Sequence, residues 1–518
     1  MTDKITILWA DDEIDLLKPH VMFLTAKGYN VITTNSGGEA LDLVKSNDVD
    51  IIFLDEQMPG LSGIETLIQM KSIVPNIPVV MITKSEEESI MEDAIGSKIS
   101  DYLIKPVNPN QILLCLKKNL ETKRLQSEKA THSYQQEFRK ISMDVSGRLN
   151  FNEWIDVYKK LVYWELELGK SEDPGIIEIL KMQKNEANHQ FGKYIERNYV
   201  DWLKPSTNEK PTQSHTILKE KVFPLLKEDK PTFLLVVDNL RYDQWKTLQP
   251  KIEEYLRVEN DEIYYSILPS VTQYARNSLF AGLLPSEIEK KYPQLWLNED
   301  EEGTKNQFEP DLINEYLRRF GIDIKTSYHK VLNLNFGRKL VDNLPNLMAN
   351  KLNVIVYNFV DMLSHARTEM DIIRELADDE PAYRSLTLSW FEHSPLFDII
   401  KFLGEKNVNV VITTDHGSIR VSNPVKVKGD KTTNTNLRFK IGKMLDYNPK
   451  DVFEIKNPQD AYLPKLNVSS SYIFTRSNDF FAYPNNYNYY VSYYLNTFQH
   501  GGISMEEMLI PIITLKNK

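Results

Sequence analysis

Five times in this 518-residue chain an apolar run ends at an aspartate: ITILWADD, DIIFLD, FLLVVDN, VIVYNFVD and VVITTDHG. Short, nearly unbroken runs of this kind lack the spacing of a surface helix and fit strands buried on both faces, as in parallel sheets covered by helices. Ligands of such sheets bind beyond the carboxyl ends of the strands. Chemistry is therefore expected at these acids. The alternative for each, taken singly, is a polar turn where a buried strand reaches solvent.

In the first 120 residues the strand candidates ITILWA, YNVITT, VDIIFLD, PVVMIT and DYLIK alternate with the helical patterns EIDLLKPHVMFLTAKG, GGEALDLVK, GIETLIQMKSI and EEESIMEDAI. The rhythm predicts an α/β fold with a doubly wound five-stranded parallel sheet. Asp11 and Asp12 follow the first strand, Asp55 the third and Thr83 the fourth, while Lys105 precedes Pro106 after the fifth. Three carboxylates at one sheet edge repel each other unless a hard divalent cation, here expected to be Mg2+, neutralises them. An aspartate held by that ion beside an ammonium and a hydroxyl can accept a phosphoryl group. This constellation resembles the receiver domain of two-component response regulators. The resemblance implies Asp55 as phosphoacceptor, with Asp11, Asp12, Asp55 and the backbone carbonyl of Gln57 around Mg2+. It also implies Thr83 and Tyr102 as switch residues, Lys105 as the balancing charge and a cis Lys105-Pro106 peptide. Lys84 departs from the pattern, in which a small residue commonly follows the switch threonine, and its bulk bears on phosphate lifetime and phosphodonor access.

The single cysteine, Cys115, excludes intrachain disulfides and cysteine-cluster zinc sites and fits a reducing compartment. Any transition-metal site must then draw on His, Asp and Glu. With 73 acidic against 62 basic residues, the net charge of -11 disfavours broad non-specific binding to duplex DNA. No helix-turn-helix pattern stands out. The N-terminus runs from a short apolar stretch straight into acids, and no stretch approaches the roughly 18 apolar residues of a membrane span. A soluble cytoplasmic protein is expected.

From 121 to 207 the texture is helical. Trp154, Val157, Leu161 and Trp164 repeat at three- and four-residue spacing and read as the packed stripe of a helical bundle, with a partner-binding surface as the alternative. The polar, proline-bearing KPSTNEKPTQSHT near 204–216 reads as a linker.

Residues 208–518 form a second α/β pattern. Asp238 ends an apolar run, and Asp361 and Asp415-His416 end two more. Thr272 stands where an extended segment gives way to an amphipathic helix; it reads as a helix-start residue, or as a hydroxyl whose alkoxide the helix dipole favours. Arg276, four residues on, shares its helix face and is suited to a phosphate. Asp361 and His365 have the spacing to meet one ion, and Asp oxygen with His nitrogen suits Zn2+. His500 precedes two glycines that allow close backbone approach. Three Asp, three His and a hydroxyl are about what two four-coordinate sites need, and paired metals are a standard device for phosphoryl transfer. The histidines at 20, 132, 189 and 215 read as structural, as do His329 and His393, with a contact to metal ligands or to substrate as the alternative for these last two.

The order Asp…Thr…Asp-x-x-x-His…Asp-His-Gly…His resembles the alkaline phosphatase superfamily, and VVDNLRYD, TTDHGS and HGGISMEE look most like its PglZ branch. The resemblance implies that Asp238, Thr272, Asp415 and His416 bind one Zn2+ and that Asp361, His365 and His500 bind a second. Thr272 is implied as the nucleophile. Asn239, which replaces a common glycine, and Arg276 are candidates for substrate phosphate. A threonine argues against a sulfatase, which needs a cysteine or serine, and favours phosphodiesters, of nucleotide or oligonucleotide type, over monoesters. Substrate selection is expected in 280–350 and 426–440.

Receiver, helical bundle and PglZ-type domain in one chain resemble the PorX-like response regulators associated with the type IX secretion system of Bacteroidota. That resemblance implies a sensor histidine kinase as phosphodonor and secretion components or a sigma factor as partners. It also implies a homodimer on phosphorylation through the fourth helix, fifth strand and fifth helix, beside the acidic run EEESIMED. The competing reading is a non-catalytic binding module in which the metal site is structural.

Overall fold

A computed structural model describes residues 5–74, 77–84, 99–169, 174–358, 360–363, 379–429, 433–467 and 469–518, without the side chains of 121–129. The chain divides into two compact units, Met1–Tyr134 and Gln135–Lys518, and the helix Pro109–Ser146 contains the boundary.

In the first unit, β1 (Thr6–Ala10), β2 (Asn30–Thr34), β3 (Ile51–Asp55), β4 (Val79–Thr83) and β5 (Asp101–Ile104) form a parallel sheet in the order β2-β1-β3-β4-β5. The unbroken apolar runs are explained by two cores. Leu8, Ala10, Ile52, Leu54 and Met81 pack on one face with Ala40, Leu67 and Met70. The alternate residues Ile7, Trp9, Phe53, Val80 and Ile82 pack on the other with Leu24, Ile112 and Leu116. Cys115 belongs to the second core, and burial pushes its thiol up to about 12, which makes it a packing residue and not a nucleophile. A Ser62–Glu65 capping box starts helix Gly63–Ile73 directly behind the carboxyl end of β3. The EEESIMEDAI pattern falls at residues outside those described, and with it the fourth-helix part of the expected dimer face; β5 and the helix from Pro109 are described.

The second unit is built on a six-stranded sheet. β6 (Thr232–Val237) lies beside β9 (Leu352–Tyr357) and β10 (Asn409–Thr413), with β8 (Thr326–Val331) outside β9, all parallel. The C-terminal strand Leu509–Asn517 and β7 (Leu256–Tyr265) complete the other edge antiparallel. The carboxyl ends of β6, β9 and β10 thus sit side by side, and three of the predicted metal acids follow them. Three small sheets between Ile419 and Gln499 and the helix Tyr487–Tyr494 lie between β10 and the last strand in sequence.

The helices Phe151–Leu168 and Pro174–Leu203 belong to this unit. Trp154, Val157, Leu161 and Trp164 are buried. Phe191 and Trp202 pack on Tyr265 of β7, with ring centroids 6.3 and 5.3 Å away, and the Tyr265 hydroxyl donates to the Phe151 carbonyl at 2.9 Å. The helices expected to form a separate bundle therefore also pack against the edge of the large sheet, while Trp154 of the stripe packs on Phe191 and Tyr194. The stretch expected to be a linker differs too. Gln213 and Ser214 are buried, and Ser214 N–H donates to the Tyr265 carbonyl while Tyr265 N–H donates to the Thr212 carbonyl. An edge strand leaves unpaired backbone groups, and this segment satisfies them.

Candidate functional site

In the first unit, Asp11 and Asp55 are buried and Asp12 is exposed, and their carboxylates offer oxygens within 4.8 Å of one another. The Lys105 ammonium lies 3.0 Å from both Asp11 and Asp55. Burial, reinforced by Asp11 and opposed by Lys105, pushes Asp55 up to about 6. Lys105 is disfavoured by burial yet raised overall by its two acids. The site is thus short of positive charge by one cation, which fits a divalent ion among the three acids. Thr83 is buried and its hydroxyl donates to Glu56; Tyr102 is exposed; Lys105-Pro106 is cis. Lys84 reaches sideways to Glu13 at 3.3 Å, away from the hydroxyl it follows. Asp12, Glu56, Gln57, Met58 and Ser62 line a surface cavity of about 540 Å3 beside Asp55.

In the second unit, the ends of β6 and β10 bring Asp238, Asp415 and His416 together, fully buried, with ligand atoms within 4.8 Å of each other. His416 Nε2 lies 3.7 Å from Asp238 Oδ1 and from Asp415 Oδ2. Both of these oxygens accept no hydrogen bond. His416 Nδ1 lies 3.1 Å from the Gly417 carbonyl, which leaves Nε2 with a lone pair toward the acids. Burial pushes Asp238 up to about 6 and Asp415 upward against the pull of Arg276, and it pushes His416 down. Two buried carboxylate oxygens without donors and a directed imidazole nitrogen are a donor set suited to Zn2+. The Thr272 hydroxyl, at the first turn of helix Thr272–Ala281, is 3.3 Å from His416 Nε2. His500 Nε2 is 3.5 Å from Asp361 Oδ1, and its ring stacks on that of His416 at 4.3 Å and 15°. His365 lies outside the described residues. A cavity of about 640 Å3 opens onto Thr272, Asp361 and His500, with walls from 299–306 and 434–439.

Three family descriptions match the chain. A BREX system PglZ alkaline phosphatase-like domain covers residues 217–515, more than half of it. The chain belongs to the PglZ alkaline phosphatase-like family. The PorX response regulator linker domain covers 124–203 and the response regulator receiver domain 7–117, so the chain is a PorX-like response regulator with a PglZ domain at its C-terminal side. Among curated proteins it is similar to the alginate biosynthesis transcriptional regulatory protein AlgB of Pseudomonas syringae pv. tomato, 35% identical over 119 residues, 23% of this chain and 27% of that one. It is also similar to the transcriptional regulatory protein ZraR of Klebsiella oxytoca, 32% identical over 150 residues, 29% and 34% of the two chains. The chain spans about a quarter to a third of the length of these relatives. Among solved structures it is similar to a CheY-like receiver domain protein from Methanospirillum hungatei, with TM-score 0.23 and 24% identity, covering 23% of this chain and 96% of that one. Chemotaxis protein CheY4 of Vibrio cholerae matches with TM-score 0.22 and 28% identity, covering 23% and 100%.

Two residues of the PglZ domain stand elsewhere than the sequence suggests. Arg276 is fully buried, donating to Asp238 at 2.6 Å and to Glu309 at 2.7 Å, and it does not line the cavity. Asn239, with φ +63, is also buried, and its N–H lies 3.4 Å from Asp415 Oδ1. Both sit behind the acids and hold them, where a phosphate contact was expected. Glu309, which also accepts from Tyr328, is the PglZ residue that sequence reasoning missed. It opens helix Glu309–Arg319, where an acid is already explained by the helix dipole. Gly417 is required by a close approach: a Cβ there would lie 2.0 Å from the Glu506 carbonyl oxygen. Of the other histidines, His20 and His393 bond backbone carbonyls, and His132 and His189 are exposed. Burial pushes His215 down to about 4 and lowers His329. None of these six joins the site.

Proposed function

We propose that the PglZ domain of this response regulator is a zinc-dependent phosphodiesterase acting on nucleotide or oligonucleotide-type diesters, governed by phosphorylation at Asp55. The observation that carries this reading is the Thr272 hydroxyl held 3.3 Å from His416 beside two buried, donor-less carboxylate oxygens, at the mouth of a large cavity. A purely structural metal site has no need of a hydroxyl that faces a cavity. Zinc held by Asp238, Thr272, Asp415 and His416, and by Asp361, His365 and His500, supplies Lewis-acid stabilisation of charge on the phosphoryl group. Thr272 Oγ attacks phosphorus, the bond to the leaving alcohol breaks as the Oγ–P bond forms, and water then releases the phosphoryl group from Thr272. The N-terminus of helix Thr272–Ala281 favours both the alkoxide and the anionic substrate. Arg276 and Asn239 hold Asp238 and Asp415 in place. A cavity of about 640 Å3 leaves room for the second ester group of a diester.

The receiver domain implies a cognate histidine kinase. In our reading Asp11, Asp12, Asp55 and the Gln57 carbonyl hold Mg2+, Lys105 and Thr83 bind the incoming phosphoryl group, and Tyr102 turns inward with Thr83. The PorX linker match supports a role in type IX secretion, with secretion components or a sigma factor as partners and a homodimer as the phosphorylated form. Zinc analysis of the purified chain, paired with hydrolysis of bis(p-nitrophenyl) phosphate and p-nitrophenyl phosphate, tests the enzymatic reading. Zinc retention with faster diester turnover is expected. A zinc-loaded chain that turns over neither ester contradicts it and leaves a binding module.

A further inference from the structure

Helix Tyr487–Tyr494, YNYYVSYY, holds five tyrosines in eight residues. Tyrosine is a mediocre helix former, so propensity does not account for them. The core accounts for some: Tyr487, Val491 and Tyr494 pack inward on Ile419, Val421, Phe480 and Ala482. Tyr489 is 65% exposed and Tyr490 38%. Their rings nonetheless lie in parallel pairs. Tyr489 lies parallel to Tyr493, with centroids 6.2 Å apart at 16°, and Tyr490 parallel to Tyr494, at 6.4 Å and 11°. Tyr493 and Tyr494 stand on the wall of the Thr272 cavity, so the aromatic face continues from the cavity outward.

Among the described residues the same wall is poor in positive charge. Among its described residues Lys305 is the lysine, and its ammonium donates to the Asn298 and Glu301 carbonyls, while Glu299 and Asp361 are acidic. Sites that grip nucleic acid through phosphates need a basic track, whereas sites that read bases need flat aromatic faces. Asn434 and Asn436 on this wall are held by backbone groups, whereas the Gln499 amide, whose nitrogen donates to the Thr497 hydroxyl, has an oxygen suited to a base edge.

We propose that the tyrosine face of helix Tyr487–Tyr494 is a stacking platform for the bases of a single-stranded nucleic acid whose phosphodiester lies at Thr272. This rests on the phosphodiesterase reading above. The full-length Thr272→Val variant, supplied with Zn2+, is titrated into labelled single strands of equal length, one intact and one with abasic positions. The expected result is about tenfold tighter binding of the intact strand. That preference should vanish in Tyr489→Ala/Tyr490→Ala and return in Tyr489→Phe/Tyr490→Phe. Equal affinity for intact and abasic strands, or retention of the preference in the alanine variant, overturns the proposal. So does sedimentation showing that the alanine pair dissolves a dimer, which would assign the face to a second copy. Wild-type hydrolysis of bis(p-nitrophenyl) phosphate is measured in parallel. Its absence sinks the phosphodiesterase, whereas its presence with no base preference sinks only the platform.

Discussion

At the scale of the residue, the PglZ site shows what strand-end reading can reach. Asp238, Asp361 and Asp415-His416 were legible because each ends an apolar run, and the sheet brings those ends together. The partners of Arg276 were not legible, since Glu309 meets it through tertiary packing with no local signature. Gly417 was legible as a turn residue, but its actual constraint, the Glu506 carbonyl, lies in a distant segment. Gly417→Ala is expected to lose about 1–3 kcal/mol in urea unfolding, together with bound zinc, because the new methyl would collide with the Glu506 backbone carbonyl and crowd the buried Arg241 side chain; unchanged stability would contradict this. Lys440 is fully buried, donates to the Asn434 carbonyl at 2.8 Å and faces the Tyr483 ring. Burial pushes its ammonium down to about 7. The unfolded chain therefore holds a proton that the folded one lacks between that pH and the ordinary lysine range, so stability rises with pH across this window and is flat below it. Lys440→Met should flatten that slope and raise the neutral-pH melting temperature. A slope that survives the substitution would place its origin elsewhere.

At the scale of the element, the helices Phe151–Leu168 and Pro174–Leu203 brace the site through buried charge. Lys184 lies 2.8 Å from Glu165 and 3.0 Å from Glu506, Asn188 holds Glu506 at 2.9 Å, and Arg384 ties Glu165 to Asp243. Glu506 is the residue whose backbone meets Gly417. The helices themselves were legible from their spacing, but their role as a wall was not, because a buried aromatic stripe does not say which surface buries it. Removing Lys184 leaves the buried Glu506 without a cationic partner and Glu165 with Arg384 alone. Lys184→Ala is expected to destabilise this unit by about 3 kcal/mol or more, read by guanidinium unfolding with tryptophan fluorescence from Trp154, Trp164 and Trp202. A loss under about 1 kcal/mol would mean that the network is not what joins these helices to the site.

At the scale of the whole molecule, the order of receiver, helices and PglZ domain was readable from sequence, since each part carries its own motif. The compact units were less so: the structure divides at Tyr134 and makes one unit of all that follows. Backbone pairing by 212–214 along an edge strand is invisible to composition, which sees only a polar, proline-bearing stretch. Treatment with acetyl phosphate is expected to shift the chain from monomer to dimer in sedimentation, with Asp55→Ala remaining monomeric; a wild type that stays monomeric would count against the phosphorylation-driven dimer. The proposed role of Thr272 as nucleophile is tested by the turnover of bis(p-nitrophenyl) phosphate by zinc-loaded wild type and Thr272→Val at matched metal content. A loss of about 1,000-fold or more in kcat is expected for the variant. Equal rates in the two proteins would contradict it.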